Sequence, residues 1–140
     1  MEVKNLITDE QIVATFPVMG QLRPHLEESN YLDTVRRMEK SDGYRLAAVL
    51  EDGQARCVAG YRVMELLAYG KALYVDDLVT DEAARSRDFG KQMLGWLAEE
   101  ASRNGCKKLH LDSGVHRPGA HRFYFREGLE ISSYHFIKDL

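Results

Sequence analysis

The chain has 140 residues, and its 19 Lys and Arg stand against 22 Asp and Glu, a net charge of −3. That length suits a single domain spanning the whole chain and leaves no room for two independent cores. Hydrophobic residues at 44% and charged residues at 29% are ordinary for a soluble globular protein, and the acidic balance excludes a generally basic nucleic-acid coat.

In chain order, Thr8 to Phe16 is expected to be helical. Thr8 or Asp9 caps it, Gln11 sits near the capping-box position, and Ile12, Val13 and Phe16 fall at helical spacing. Pro17 to Pro24 is expected to be a loop. A second helix follows over about Leu26 to Lys40, with Leu32, Val35 and Met38 inward. The period then changes. Tyr44 to Leu50 and Ala55 to Leu66 read as strands joined by a Glu51-Asp52-Gly53-Gln54 turn. Ala72 to Val79 is a third strand after a Tyr69-Gly70-Lys71 turn, giving an antiparallel meander. Phe89 to Arg103 is the strongest helix: Phe89, Met93, Trp96, Leu97 and Ala101 share one stripe, and Asn104-Gly105 stops it. Lys108 to Leu111 is a short strand. Pro118 to Glu127 is a helix ending at Gly128, and Ile131 to Ile137 closes the chain as a strand. The order ααβββαβαβ describes a mixed α/β domain.

The stretch richest in chemistry is Leu78 to Leu94. A strand ends near Val79, and Arg85-Ser86-Arg87-Asp88-Phe89-Gly90-Lys91 leads into the long helix. The first turn of a helix has four unpaired N–H groups and the positive end of the dipole, which suits a diphosphate. Arg85, Arg87 and Lys91 add positive charge, and Gly90 lets a ligand approach the backbone. A solvated basic helix start with Gly90 giving packing room explains the same residues.

This stretch resembles motif A of the GNAT superfamily of N-acetyltransferases. There an apolar strand end precedes a Gln/Arg-x-x-Gly-x-Gly/Ala loop and a helix. Arg85 stands at the Gln/Arg position and Gly90 at the final Gly/Ala. Downstream, Ala120 to Leu129 (AHRFYFREGL) is similar to a later helix of that family, and the element order suits it along nearly the whole chain. Asp88 departs from the pattern: it replaces the first motif glycine, and its carboxylate repels a diphosphate and competes for the same amides. The resemblance implies acetyl-CoA, or a related acyl-CoA, as donor. Its diphosphate would lie on the amides from Arg85 through Lys91, and its pantetheine arm would pair with Leu78 and Val79 like an added strand. A mostly antiparallel sheet splayed in a V between the Ala72–Val79 and Lys108–Leu111 strands follows.

The same resemblance implies an N-acetyltransferase that moves the acetyl group directly to a primary amine of a small molecule or peptide. Tyr124 matches the family tyrosine near the sulfur and would protonate the leaving thiolate; a core aromatic beside Phe123 is the other reading. Asp76 and Asp77 both lie on the strand leading to the loop. Neighbours on a strand face opposite ways, so one of them faces the cleft, and Asp77 is the candidate general base; a surface pair or a bulge is the other reading. Arg23, His25 and Tyr31 are candidate acceptor contacts, because the family binds its acceptor with the first helices and their loop. The rival readings are a GNAT-fold module that holds coenzyme A without turnover, and an unrelated nucleotide-binding α/β domain. The latter lacks a GxxxxGK[ST] loop.

Two cysteines, Cys57 and Cys106, exclude a disulfide framework and a four-cysteine zinc site. Reduced thiols in a cytoplasmic protein are expected. The histidines have no ligand spacing with them, so no metal is expected. No apolar run approaches the roughly 20 residues of a membrane span, and the charged start MEVKNLITDEQ is unlike a secretory signal. No nucleic-acid or membrane partner is expected. A homodimer is, since dimers are common in the family and ISSYHFI is able to pair at a sheet edge.

Overall fold

The computed structural model describes residues 2–140. By contact density the chain falls into two units, one running to His110 and one spanning Leu111–Leu140.

The first unit opens with a short strand, β1 (Val3–Asn5), that the periodicity did not announce. Helix α1 (Asp9–Val13) carries the expected capping box: the Gln11 amide donates to Thr8 Oγ1 at 3.2 Å, and the Thr8 amide to Gln11 Oε1 at 3.1 Å. The helix stops short of the expected Phe16. Thr15 intervenes, its hydroxyl donating to the Ile12 carbonyl at 2.6 Å, and α2 (Phe16–Leu22) starts afresh. The expected loop over Pro17 to Pro24 is therefore mostly helix. Pro17 sits in the first turn, where its missing N–H costs nothing. Helix α3 (Glu28–Asp42) ends at Gly43, whose φ of 69° is the left-handed C-cap geometry.

Strands β2 (Arg45–Glu51), β3 (Gln54–Leu66) and β4 (Gly70–Thr80) form the expected meander. Helix α4 (Phe89–Arg103) and strand β5 (Lys108–Leu111) have the expected bounds. The sheet order is β1-β2-β3-β4-β5, antiparallel from β1 to β4. Helices α1 to α3 pack on one face, around Ile12, Val18, Met19, Tyr31, Val35, Leu46, Ala48, Val58 and Val79. By strand alternation the opposite face carries Ala47, Cys57, Ala59, Tyr61, Leu73 and Val75, all buried. There α4 brings Glu100, which accepts a hydrogen bond from the Tyr61 hydroxyl. Burial works against the Glu100 charge, but donors from Tyr61 and Asn5 and the nearby Arg103 outweigh it and hold its carboxyl below the usual range.

The second unit contains α5 (Pro118–Arg126) and the residues after it. Here one expectation fails. Ile131 to Ile137 forms no strand, and residues 131–140 are exposed throughout. A strand exists only through a neighbour that takes its hydrogen bonds, and within the second unit the backbone of residues 130–140 makes none. The observed order is thus βαααβββαβα.

Candidate functional site

Register places Gly60 opposite Asp77 but Tyr61 opposite Val75, so Asp76 is an extra residue on β4, a β-bulge. Of the two readings left open for the pair, the bulge is the one present, and strict alternation, which would turn Asp76 and Asp77 opposite ways, does not hold here. Both side chains lie on the face that carries α1 to α3. Asp76 accepts from Arg62 Nε at 3.1 Å, and the Arg62 guanidinium lies 5.8 Å from the centre of the Tyr44 ring. Asp77 accepts from the Tyr44 hydroxyl at 2.8 Å through Oδ2 and from Arg23 Nε at 3.0 Å through Oδ1. Arg23, the C-cap of α2, also donates to the Asp76 carbonyl at 3.0 Å.

This network fits only because residue 60 is glycine. A Cβ there would stand 1.8 Å from the Tyr44 hydroxyl and 2.7 Å from Asp77 Oδ2. Neither Tyr44 nor Gly60 was singled out from the sequence. An isolated glycine inside a strand pattern marks a bulge or a close approach, and Gly60 in CVAGYRV was that signal. Burial raises the Tyr44 phenol well above its ordinary pKa, as do the charge of Asp77 and the hydrogen bond to it. Burial likewise raises Asp76, against the opposing pull of Arg62.

The acceptor candidates fare differently. Arg23 is part of the network and partly exposed, at 42% of its side chain. His25 is exposed in the turn between α2 and α3. Tyr31 is not a surface contact. It is a core residue at 5% exposure, its hydroxyl paired with Thr15 Oγ1 at 2.7 Å. The resemblance offered it as an acceptor contact, but on α3 it shares the buried stripe with Val35, four residues on.

Beyond the bulge, Leu78 pairs with Ala59 and Val79 with Val58 on one side. On the other side, β5 starts beside the beginning of β4, where the Lys107 amide donates to the Lys71 carbonyl at 2.8 Å, and the His110 ring lies 4.9 Å from that of Tyr74. β5 ends at Leu111. Within the first unit, the far half of β4, with Leu78 and Val79, therefore has β3 on one edge and no strand on the other. The Val79 side chain is buried in the core, so backbone is what this edge offers.

The loop after β4 is tied down at its start. Asp81 caps the short turn Glu82–Ala84, accepting from the Ala83 amide at 3.2 Å. Gln21 of α2 clamps it, donating to Asp81 Oδ1 at 3.1 Å and accepting from the Glu82 amide at 2.9 Å. The chain then turns through two left-handed residues, Ser86 at φ 68° and Asp88 at φ 62°. Asp88 is the N-cap of α4, yet its side chain makes no capping hydrogen bond. The expected competition from its carboxylate does not occur in this geometry. None of the amides from Ser86 to Lys91 donates to an acceptor among the described residues. Alternating left-handed turns of this kind gather N–H groups into an anion-binding concavity.

The loop cations are not equivalent. Arg87 makes a two-point pair with Glu51, at 3.2 and 2.7 Å, and its guanidinium lies 4.8 Å from the centre of the Phe89 ring. Its charge is already answered. Arg85 and Lys91 are exposed. Phe89 is buried and anchors the loop by its side chain, leaving only its amide to the site, while Gly90 is half-buried.

Tyr124 belongs to α5 in the second unit. It is half-buried, with its ring 5.4 Å from that of Phe123. Burial raises its phenol above the ordinary pKa, with Arg117 opposing. Among the described residues no helix is long and apolar enough to cross a membrane, and no group of three metal-ligating side chains forms.

The profile of the acetyltransferase (GNAT) family matches residues 8–129. An uncharacterized N-acetyltransferase of Bacillus subtilis, YhdJ, is 32% identical over 139 residues, 99% of this chain and 98% of that protein. The aminoalkylphosphonate N-acetyltransferase of Salmonella typhimurium is 38% identical over 66 residues, 47% of this chain and 43% of its own. Among solved structures, a putative acetyltransferase from Agrobacterium tumefaciens superposes with a TM-score of 0.86 at 21% identity, covering 100% of both chains. An aminoglycoside N-acetyltransferase, AAC(6')-Iy in complex with CoA, gives 0.85 at 12% identity over 99% of this chain and 93% of that one. These two structural likenesses show the fold.

Proposed function

The chain belongs to the acetyltransferase (GNAT) family, and from that premise we propose that it moves an acetyl group from acetyl-CoA directly to a primary amine of a small molecule or peptide in the cytoplasm. The observation that carries the reading is the pairing of two features at the end of β4: an edge at Leu78 and Val79 that no strand of the first unit covers, and a run of uncommitted amides from Ser86 to Lys91. The chain's residues fit a donor with an extended amide arm and a diphosphate. The arm's amides extend the sheet, and the diphosphate takes the amides and the α4 dipole, with Arg85 and Lys91 beside it. The thioester of acetyl-CoA supplies the activated acyl group.

What the protein must add is proton management. An alkyl ammonium of pKa about 10.4 costs about 4–5 kcal/mol to deprotonate at pH 7. Asp77 is proposed as the acceptor of that proton. Each of its oxygens takes one donor, Arg23 or Tyr44, and keeps a second lone pair for the amine or an intervening water. Arg23 and Tyr44 fix the carboxylate in place, which is positioning rather than chemistry. Tyr124 is proposed to hand a proton to the leaving sulfur, since a phenol with a raised pKa stays protonated through the neutral range.

Mass spectrometry on acetyl-CoA mixed with amines, amino acids and peptides tests the reading. Acetylated product with one free thiol released per product is expected. Tight calorimetric binding of acetyl-CoA without product from any amine would replace it with a coenzyme A-holding module.

A further inference from the structure

Leu78 to Thr80 is the least braced stretch of β4. It follows the bulge at Asp76, and on one edge no strand of the first unit covers it. On the other edge it pairs with β3, through Ala59, Val58 and Cys57. A strand disrupted by a bulge and paired on one side has few bonds to fix its course. Both ends of the stretch matter to the site, since Asp77 precedes it and the donor loop follows it.

Helix α2 bridges the stretch. It lies against β4, and Val18 and Met19 anchor it in the core. On the near side its C-cap Arg23 donates to Asp77 Oδ1 and to the Asp76 carbonyl, each at 3.0 Å. On the far side Gln21 donates to Asp81 Oδ1 at 3.1 Å and accepts from the Glu82 amide at 2.9 Å. The helix rises only about 3 Å from Gln21 to Arg23, while about 13 Å of strand separates Asp77 from Asp81. The two long side chains make up the difference by reaching apart along the strand. The start of the donor loop therefore cannot shift against Asp77 without breaking one of these four hydrogen bonds. Glutamine suits its end of the bridge, because one side chain supplies a donor for the carboxylate and an acceptor for the amide. Arg56 of β3 reaches the other oxygen of Asp81 at 3.5 Å. It ties the loop to the sheet, whereas Gln21 ties it to the helix that carries Arg23.

We propose that α2 is a splint between the donor loop and the proton acceptor, with Gln21 as a positioning residue. Gln21 fixes the loop that leads to the amides from Ser86 to Lys91, and so couples donor binding to Arg23 and Asp77. Coupling of this kind is reciprocal: a donor that settles the loop firms the seat of Asp77, and loosening Arg23 loosens the donor. The inference rests on the reading of those amides as the donor's diphosphate site.

Calorimetric titration of coenzyme A into the full chain tests it without any acceptor. Gln21→Ala should weaken binding about 3–10-fold, the worth of one hydrogen bond or two. Arg23→Ala should weaken it about 2–5-fold, although the Arg23 hydrogen bonds run to Asp76 and Asp77 and none to the donor loop. In Gln21→Ala the splint is already cut, so adding Arg23→Ala should cost no more than about a further 1.5-fold. Plain loss of a positive charge near an anionic ligand behaves otherwise: it multiplies with Gln21→Ala and fades with salt. Arg23→Lys keeps the charge without the fork, so it should match Arg23→Ala, and it takes that variant's place should Arg23→Ala not fold. Arg36→Ala cuts the pair that α3 makes with Asp9; it controls for general loosening and should leave the affinity unchanged. Wild-type affinity in both Arg23 variants, effects that multiply, or an equal loss in Arg36→Ala would each overturn the splint alone. A wild type that binds no coenzyme A overturns the donor reading and the splint with it.

Discussion

Gly60→Ala is the sharpest test of the bulge network. The added methyl carbon would stand 1.8 Å from the Tyr44 hydroxyl oxygen and 2.4 Å from Cζ, well inside contact distance. Tyr44 is 4% exposed and is pinned by its bond to Asp77, so it yields only by losing that bond and disturbing the packing around it. Overpacking of this kind costs about 1–3 kcal/mol, and a lost hydrogen bond to a charged group about 1.5–3 kcal/mol. A total near 3–4 kcal/mol lowers Tm by roughly 10–15 °C in a chain of this size. Calorimetry checks it beside Tyr44→Phe, which removes the hydroxyl without adding bulk and should cost roughly half as much. In Gly60→Ala combined with Tyr44→Ala, the methyl meets vacated space. The two costs should then fall short of additivity by about 1 kcal/mol or more. A Gly60→Ala protein melting within about 3 °C of the wild type, or strict additivity in the double variant, would refute the placement of Tyr44 over residue 60.

Arg85→Ala and Lys91→Ala should each weaken calorimetric binding of coenzyme A about 2–5-fold, the size of an exposed charge contact, and the loss should shrink as salt rises. Arg87→Ala should do less, because Glu51 already holds that guanidinium; a larger effect from Arg87 would reverse that ranking. Tyr124→Phe should lower kcat about 10–100-fold at unchanged coenzyme A affinity, with no pH break in the neutral range, and unchanged turnover would remove the phenol from the reaction. Burial pushes the Cys57 thiol up to about 11. The neutral thiol is the folded form, so its share of stability is intact below about pH 9 and is lost as pH climbs from about 9 to 11. Urea unfolding of wild type against Cys57→Ala should show a steeper alkaline decline in the wild type, and a chromogenic disulfide at pH 8 should label Cys106 well before Cys57.

How far the sequence could be read depended on whether a residue's neighbours were local. Helix α4 was legible to the residue because both of its determinants, the Phe89 stripe and the Asn104 stop, lie within its own sixteen positions. The meander was legible for the same reason, since turns and alternation are short-range signals. The break between α1 and α2 was not, because it depends on Thr15 reaching both back to Ile12 and across to Tyr31. β1 is three residues long and takes its identity from pairing with Val49, Ala48 and Ala47, over forty positions away. Residues 131–137 have a strand's composition, but composition supplies no hydrogen-bonding partner.

At the candidate site the same distinction decides what was visible. Free amides at a helix start follow from local backbone, so residues 85–91 were readable in sequence. That Glu51 would engage Arg87, while Arg85 and Lys91 stayed exposed, needed the fold. The two aspartates show how one backbone event redirects a chemical argument. Strict alternation splits Asp76 from Asp77. One inserted residue opposite Gly60–Tyr61 puts them on the same face, and a single missing Cβ makes room for the tyrosine that holds one of them. The bulge also bends β4 just before Leu78, at the start of the stretch that no strand of the first unit covers on that side. The strand irregularity that gathers Asp76, Asp77, Tyr44 and Arg23 thus sits immediately upstream of the open backbone edge. A proton acceptor and an acyl donor lying along that edge would be brought to adjacent positions by the same deformation.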